Sequence, residues 1–495
     1  MTAQDTDSIR IGTAARAARA RGQEQPTGRR VTAIILTLAA SAFLMILNET
    51  VLSVALPALM AEFDMPAQTA QWLTTGFLLM MAIVIPTTGF LMRRFTTRTL
   101  FAAALVLFIV GTVVATLAPS FAVMLIARVF QAGGTAIILP LLMTTTLTSV
   151  APAKRGMFMG VNSVVIAVAP AIGPTASGII IDALGWRWIF GLALPFAILA
   201  LVAGGLVIRA GGETLRPPFD VFSVVLAAIG FGGVVYGLSS LEQILDSSAW
   251  APTVAFIVGL AALALFARRQ VRLQRRQEGA LLDLRPFASR EFRLSLLLAM
   301  VAMATMLGTV TVLPLYLQNG LGVSALVTGL LVLPGGVVQA ALAPFVGRLY
   351  DRVGPLPLVL PGMILIAAAQ WMLAFVAAST PLWAVCAMFI VFSAGLGLVI
   401  TPMLTHSLTS LAPELYPHGS AILSTLQQLA GAAGTAVLVA ALTIGAAAAA
   451  GGGAAADIAE VVGTQHAFVV GGILALLAVV AAMFVRRTRP EQPQR

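Results

Sequence analysis

Long apolar runs, separated by short polar or Gly/Pro-containing turns, dominate the chain. In hydrocarbon a helix satisfies its backbone N–H and C=O groups within its own segment, and about 20 apolar residues span the bilayer core. The pattern therefore predicts fourteen membrane-spanning helices, at residues 31–57, 70–92, 99–119, 121–149, 157–181, 188–208, 220–240, 250–267, 294–317, 324–347, 356–378, 382–405, 420–447 and 467–485. Helix boundaries are least well defined by the sequence in the Ala/Gly-rich stretch 431–456.

The placement of Lys and Arg predicts the orientation of these helices, because both residue types are retained in cytoplasmic loops. With the N-terminus inside, nearly all of the 29 Lys and Arg residues fall on the cytoplasmic side. They lie in the two tails, in the stretch 268–293, and at Arg93, Arg94, Arg98, Lys154, Arg155, Arg209, Arg216, Arg348 and Arg352. Only Arg187 falls outside, and Arg128 lies within a helix. An odd number of helices would place the basic C-terminus outside, so both termini are predicted to be cytoplasmic.

Composition agrees with an integral membrane protein of the cell (inner) membrane. Hydrophobic residues make up 59% of the chain, charged residues 10%, and the mean hydropathy is +0.99. Soluble globular chains have roughly a quarter of their residues charged. The net charge of +10 is dispersed over the cytoplasmic loops rather than forming one basic face, so no nucleic-acid partner is expected. The three histidines lack metal-ligand spacing, so no metal site and no bound cofactor are predicted.

The order of the helices predicts an all-α integral membrane fold of two six-helix bundles with two extra helices between them. Two bundles of parallel internal topology suit alternating access to a site at their interface. The predicted segments are a basic cytoplasmic tail (1–30), an N-terminal bundle (31–209), two inserted helices (210–267), a basic cytoplasmic loop (268–293), a C-terminal bundle (294–486) and a short cytoplasmic tail (487–495).

Two ionisable residues stand well inside the predicted helices, where charges are costly and point to function. Glu49 in helix 1 and Arg128 in helix 4 lie roughly 12 Å and about 10 Å below the same outer surface at 1.5 Å per residue. A carboxylate near an arginine in the outer half of one bundle could bind a proton in exchange for a cationic substrate. The alternative is a permanent ion pair that only orders helices 1 and 4.

Helices 5 and 13 carry further polar and small residues. Gly173, Pro174 and Gly178 in helix 5 predict a bend and close approach of a neighbouring helix, for packing or for function. Adjacent Gln427 and Gln428 in helix 13 differ by about 100° around the helix, so at least one is expected to face protein or water. Either glutamine could line a substrate cavity or bond to another helix.

Three stretches in order resemble motifs of the major facilitator superfamily, and the chain from about residue 40 to 440 is similar to its fourteen-helix drug:proton antiporter family, of the EmrB/QacA type. They are Arg128-Val-Phe-Gln131 in helix 4, Gly173-Pro-Thr-Ala-Ser-Gly178 in helix 5 and Gly347-Arg-Leu-Tyr-Asp351-Arg352-Val-Gly354 in the 10–11 loop. The resemblance implies the major facilitator fold, proton transfer at Arg128, an antiporter motif in helix 5 and a gating loop at Asp351.

Two positions depart from the family pattern. The family's helix-1 aspartate corresponds to Asn48, and the acid is displaced to Glu49. One residue along a helix places the acid about 100° further around the helix axis. In the first copy of the loop motif, Gly89-Phe-Leu-Met-Arg93-Arg94-Phe-Thr96, an arginine replaces the aspartate and Thr96 replaces the second glycine. The role of Glu49 and a lock in the first loop are therefore open.

The sequence predicts a transporter and contains no cluster of catalytic residues, so no enzyme is expected. We expect proton-driven export of lipophilic, monocationic or neutral drugs, with Asn48, Gln131, Gln427 and Gln428 as cavity candidates. An importer or exporter of one endogenous metabolite with the same fold is the alternative, and a non-transporting receptor or membrane enzyme is disfavoured. The expected partners are the lipid bilayer, small-molecule substrates and protons, and a monomer is compatible with the sequence.

Overall fold

The computed structural model describes residues 28–65, 67–70, 72–208, 220–241, 244, 250–276 and 280–485. Most of the predicted N-terminal tail, residues 210–219 and the C-terminal tail 487–495 lie outside the described residues. The described part of the chain contains fourteen long helices: α1 Gly28–Phe63, α2 Trp72–Arg94, α3 Thr97–Thr116, α4 Phe121–Ser149, α5 Arg155–Leu184, α6 Arg187–Val207, α7 Val221–Ser239, α8 Trp250–Arg275, α9 Arg290–Leu315, α10 Ala325–Val353, α11 Leu356–Ala374, α12 Leu382–Thr409, α13 Tyr416–Gly451 and α14 Ala456–Ala482.

Thirteen of these helices in the described residues are long and apolar enough to cross a membrane. The remaining one, α5, is 30 residues long and packs between α1 and α10. Polar side chains start several helices by accepting a hydrogen bond from the first turn, as Thr96 does for α3, Ser289 for α9 and Ser324 for α10. The prediction of an all-α membrane fold with two bundles and two extra helices is confirmed.

Two helix boundaries differ most from the sequence prediction. Helix α8 continues through Arg275, because arginine and glutamine are good helix formers after the apolar run has ended. Helix α14 begins at Ala456 rather than near residue 467, so its first turns are polar but helical. Gly453, with φ of 86°, supplies the left-handed conformation that separates α13 from α14.

The two bundles, α1–α6 and α9–α14, meet along two seams. Helix α5 packs along α10 in one seam, and α2 packs along α13 in the other. The inserted hairpin α7–α8 packs on α2 through α7, which also borders α13. We call the face of the protein that carries Arg93, Arg94, Lys154, Arg155 and Arg352 the basic end, and the other face the opposite end.

Candidate transport site

Arg128 is fully buried inside the first bundle and holds a polar network. Its Nη1 donates to Asn48 Oδ1 and to Gln131 Oε1, each at 3.1 Å. Its Nε donates to the carbonyl oxygen of Leu73 at 3.3 Å, and the guanidinium lies 4.1 Å from the ring centroid of Phe77. Gln131 reaches the arginine because residues three apart share a helix face. The motif residues of α4 thus connect α1, α2 and α4.

The network leaves two buried donors unused. Within the described residues, Arg128 Nη2 and Asn48 Nδ2 have no hydrogen-bond partner. Gln131 uses its own amide to donate to Thr112 Oγ1 of α3 at 3.1 Å. An unpaired buried donor costs about 1–3 kcal/mol, and more for a charged group. The site therefore favours an acceptor that approaches Arg128 and Asn48.

Glu49, next to Asn48 in α1, lines a cavity of about 430 Å³ between the bundles. Because Asn48 is the residue that bonds Arg128, the adjacent Glu49 is rotated by about 100° towards the cavity. Among the described residues, no hydrogen bond and no ion pair within 4 Å involves the Glu49 carboxylate. The cavity is lined by Glu49, Thr74, Thr75, Leu78, Leu238, Leu241, Leu307, Thr311, Leu315, Gln428, Gly431, Ala432, Thr435, Ala436, Val439 and Ala440.

The four cavity candidates are placed differently by the structure. Gln428 lines the cavity together with Glu49. Gln427 is buried instead, on another side of α13. Asn48 and Gln131 contact Arg128, since their side-chain oxygens accept from its guanidinium.

At the basic end, Asp351 of α10 closes the α5–α10 seam. Its Oδ1 accepts from the backbone N–H of Gly156 at 2.9 Å, and its Oδ2 accepts from that of Met157 at 3.1 Å. These N–H groups belong to the first turn of α5, where the helix dipole favours negative charge. The loop motif's other residues support the contact: a Cβ on Gly347 would meet the carbonyl oxygen of Gly156, and Gly354 ends α10 with φ of 83°.

The α2–α13 seam is closed by different chemistry. Arg93, which replaces the motif's aspartate, places Nη1 3.4 Å from Nε2 of His418 in the first turn of α13. The backbone N–H of Asp283, in the segment after α8, donates to Nδ1 of the same ring at 3.2 Å. Beside this cluster, the hydroxyls of Thr144 and Ser420 lie 2.7 Å apart and join α4 to α13. The basic end is therefore closed along both seams.

The glycines of the α5 motif have different surroundings. A Cβ on Gly173 would collide with Oγ1 of Thr50, so α5 approaches α1 closely there. Ser177 supports this contact by donating to the carbonyl oxygen of Val51 at 3.0 Å. For Gly178 the expected close approach is wrong, because a Cβ there would meet no atom within 4 Å. The side chain of Pro174 lies outside the described residues.

Sequence reasoning did not single out Gly156, His418 or Asp283 as seam residues. Gly156 lies shortly after Pro152, and a proline at the first helical position is a signal for a helix N-terminus that could have found it. Nothing in the spacing joins Arg93 to His418, since 325 positions separate them.

Comparison with known proteins identifies the family. The model of the Major Facilitator Superfamily matches residues 38–220 and 219–435. The chain is 39% identical to the lincomycin resistance protein LmrB of Bacillus subtilis over 93% of this chain and 97% of that protein. It is 40% identical to LmrB of Listeria monocytogenes over 94% of this chain and 100% of that protein. A multidrug resistance protein B homolog of Mycobacterium tuberculosis is 31% identical over 80% of this chain and 73% of that protein.

Two solved transporters share the fold at low sequence identity. The human organic anion transporter MFSD10 superposes with a TM-score of 0.64 at 17% identity, over 92% of this chain and 100% of that one. The proton:xylose symporter XylE superposes with a TM-score of 0.65 at 15% identity, over 93% of this chain and 97% of that one. The family-model match and the relatives of 39% and 40% identity confirm the transporter expectation: the chain belongs to the major facilitator superfamily.

Proposed function

We propose that the protein is a proton-coupled antiporter that exports lipophilic, monocationic or neutral drugs across the cell membrane, with its basic end in the cytoplasm. The observation that carries the proposal is Glu49, which is the one charged side chain among the residues that line the cavity between the bundles. A single carboxylate in an otherwise uncharged cavity can hold either a proton or a cationic group. The retention of arginine on the cytoplasmic side supports the orientation.

The composition of the cavity supports a drug-like substrate. Four threonine hydroxyls and the Gln428 amide offer hydrogen bonds, while leucine, valine, alanine and glycine supply apolar walls. Ligand pockets commonly combine a mainly apolar lining with a few placed polar groups. Relatives of 39% and 40% identity are named for lincomycin resistance, which supports a drug as the substrate of this chain as well.

Coupling requires that proton and substrate compete for one group. With the basic end closed, the cavity communicates with the opposite end, where the Glu49 carboxylate takes a proton and a bound cation is released. The protonated site then isomerises, and the seams at the basic end open. Release of the proton to the cytoplasm regenerates the carboxylate for the next cation. The unused donors on Arg128 and Asn48 stabilise the unprotonated carboxylate when Glu49 rotates towards them.

The proposal is tested by efflux from proteoliposomes that contain the purified protein and a cationic dye or lincomycin. An imposed proton gradient should drive export by the wild type, and a protonophore should abolish it. Glu49→Gln, which keeps the size but loses the charge, should lose proton-driven export of the cation. Asp64→Asn is the matched control, because Asp64 is an exposed acid just after α1 whose positive φ of 45° asparagine tolerates. Full proton-dependent export by Glu49→Gln would contradict the proposal.

A further inference from the structure

His418 is buried against the backbone of the opposing bundle. The residue is 1% exposed and lies in the first turn of α13, at the basic end. On the other side of the seam, a Cβ on Gly89 of α2 would lie 2.7 Å from Nδ1 of the ring. The imidazole therefore fills the space beside Gly89 in the α2–α13 seam.

Both ring nitrogens of His418 face hydrogen-bond donors. Nδ1 accepts from the backbone N–H of Asp283 at 3.2 Å, and Nε2 faces the guanidinium Nη1 of Arg93 at 3.4 Å. A backbone N–H and a guanidinium can only donate. A neutral ring with Nδ1 unprotonated accepts from Asp283, and its Nε2–H group faces Arg93 without a hydrogen bond, whereas a protonated ring carries N–H groups on both nitrogens. Protonation would therefore replace the Nδ1 hydrogen bond by a contact between two donors.

Charges of both signs act on the ring. Arg93 of α2 and Arg285 of the segment after α8 act on the ring, and Arg155 of α5 donates to the neighbouring Tyr416 hydroxyl at 3.2 Å. The negative charges are Asp283, and Glu414 just before α13, which acts on Arg285. Two cations and one carboxylate thus act on the ring directly, and Arg155 and Glu414 act on their neighbours.

The Asp283 carboxyl stays ionised, but it already pairs with Arg285. Burial alone would raise the pKa of this carboxyl, but hydrogen bonds and the positive charge from Arg285 outweigh burial and hold the pKa below its ordinary value. The two side chains form an ion pair of 2.6 Å. The segment that presents the Asp283 N–H is fixed in turn, because the N–H of Leu282 donates to Gln270 Oε1 of α8 at 3.1 Å. The inserted hairpin thus holds the donor against His418.

We infer that His418 is a protonation-sensitive latch: the neutral ring holds the basic end of the α2–α13 seam closed, and the protonated ring prevents this end from closing. The inference rests on the proposed function for its place in a transport cycle. When the basic end is open, the ring is exposed to the cytoplasm and takes up a proton if the cytoplasm is acid. The carrier then returns more slowly to the form that accepts external protons. Cytoplasmic acidification would thereby limit further proton entry through the protein.

The latch is tested by the distance across the closed end, in full-length protein in lipid nanodiscs without substrate or gradient. Spin labels are attached to Arg98→Cys and Ala412→Cys, both at exposed positions of the basic end, in a Cys386→Ala background that removes the one native cysteine. Double electron–electron resonance is recorded at pH 8 and at pH 5.5, which bracket the ordinary histidine pKa of about 6.5, and at pH values between them to locate the midpoint. The wild type should shift from a short to a long distance. The ratio of the long-distance to the short-distance population should change by at most about tenfold per pH unit for one proton.

Matched variants assign this shift to one histidine. His418→Gln cannot be protonated and still offers an acceptor, so the short distance should persist at both pH values. His406→Gln and His466→Gln remove the other two histidines and should keep the shift. Arg93→Gln, which retains His418 but lowers the local positive charge, should make the protonated ring less costly in the closed seam and move the midpoint to lower pH. This second variant keeps the latch testable if His418→Gln does not fold.

The outcomes separate the latch from the transport proposal. The latch is overturned if the wild type shows no pH-dependent shift, if His418→Gln keeps the shift, or if the midpoint in Arg93→Gln is unchanged. A normal shift in a protein that exports no drug would instead overturn the proposed function and leave the latch intact.

Discussion

The two seams between the bundles perform the same task with opposite chemistry. At the basic end of the α5–α10 seam, the Asp351 carboxylate accepts from two free N–H groups of a helix start. At the α2–α13 seam, Arg93 stands in the corresponding motif position, and a histidine from the opposite bundle fills the gap. The first contact needs a negative charge, whereas the second needs a neutral ring. Related loop motifs can therefore give one seam that stays closed when the pH changes near neutrality and one that responds to such a change.

The largest effect is expected where the α5–α10 seam is closed by backbone contact. In Gly347→Leu the new side chain would collide with the backbone of Gly156, so this seam could not close. Overpacking costs about 1–3 kcal/mol, equivalent to roughly 5- to 150-fold in the closed population. Export should be lost while the protein remains in the membrane. Gly178→Leu is the control, since it meets open space and should export normally; equal export by both variants would show that closing this seam is not needed.

A smaller loss is expected from Asp351→Asn. The amide nitrogen would replace one carboxylate oxygen and face the N–H of Gly156 or Met157, and the charge at the start of α5 would be lost. Hydrogen bonds to charged groups contribute about 1.5–3 kcal/mol, so turnover should fall by roughly tenfold or more. Thermal unfolding in detergent should change little compared with turnover. Wild-type turnover in the purified variant would remove Asp351 from the closing mechanism.

Arg93→Asp should reverse the pH response of the other seam. A carboxylate at this position would lie beside the His418 ring and pair with it once the ring is protonated. The long distance between labels on residues 98 and 412 should then be depleted at pH 5.5 rather than populated. An unchanged direction of the shift would mean that Arg93 does not act on the ring.

The smallest effect is expected at the opposite end, where Glu62 pairs with Arg187 at 2.6 Å and accepts from the Trp186 indole. The Trp186 hydrogen bond, followed by Arg187, holds the pKa of Glu62 below its ordinary value. The stabilisation that Glu62 contributes is therefore present above its pKa in the unfolded state and is lost as pH falls through its pKa in the folded state. Glu62→Gln should lower the thermal unfolding temperature slightly at pH 7 and not at pH 3, since exposed pairs contribute about 0–1 kcal/mol. A large loss of export would indicate a role in transport instead.

The fold could be predicted well because lipid imposes a strong rule on sequence. Apolar runs and arginine placement were sufficient for the helices and their grouping. The errors arose where helix and membrane span differ in extent. Helix α14 starts with polar residues, and α8 continues past its last apolar turn, because hydropathy marks hydrocarbon and not helicity.

The site could be predicted only in part, because its residues meet through tertiary contacts. Glu49 and Arg128 stood out as charges inside apolar runs, and Asp351 through its motif. Which of Asn48 and Glu49 bonds the arginine depends on the rotation of α1, which the sequence leaves undefined. His418 looked like one of three scattered histidines until α2, α13 and the segment after α8 were brought together.

The central claim is that Glu49 exchanges a proton for a cationic drug. The most direct measurement is proton release from the purified protein on addition of the drug, recorded in weakly buffered detergent with a pH indicator. The wild type, protonated at Glu49, should release protons with saturable dependence on drug concentration, and Asp64→Asn should behave in the same way. Glu49→Gln should release no protons when the drug is added. Proton release of wild-type amplitude from Glu49→Gln would contradict the account, because another group would then carry the proton.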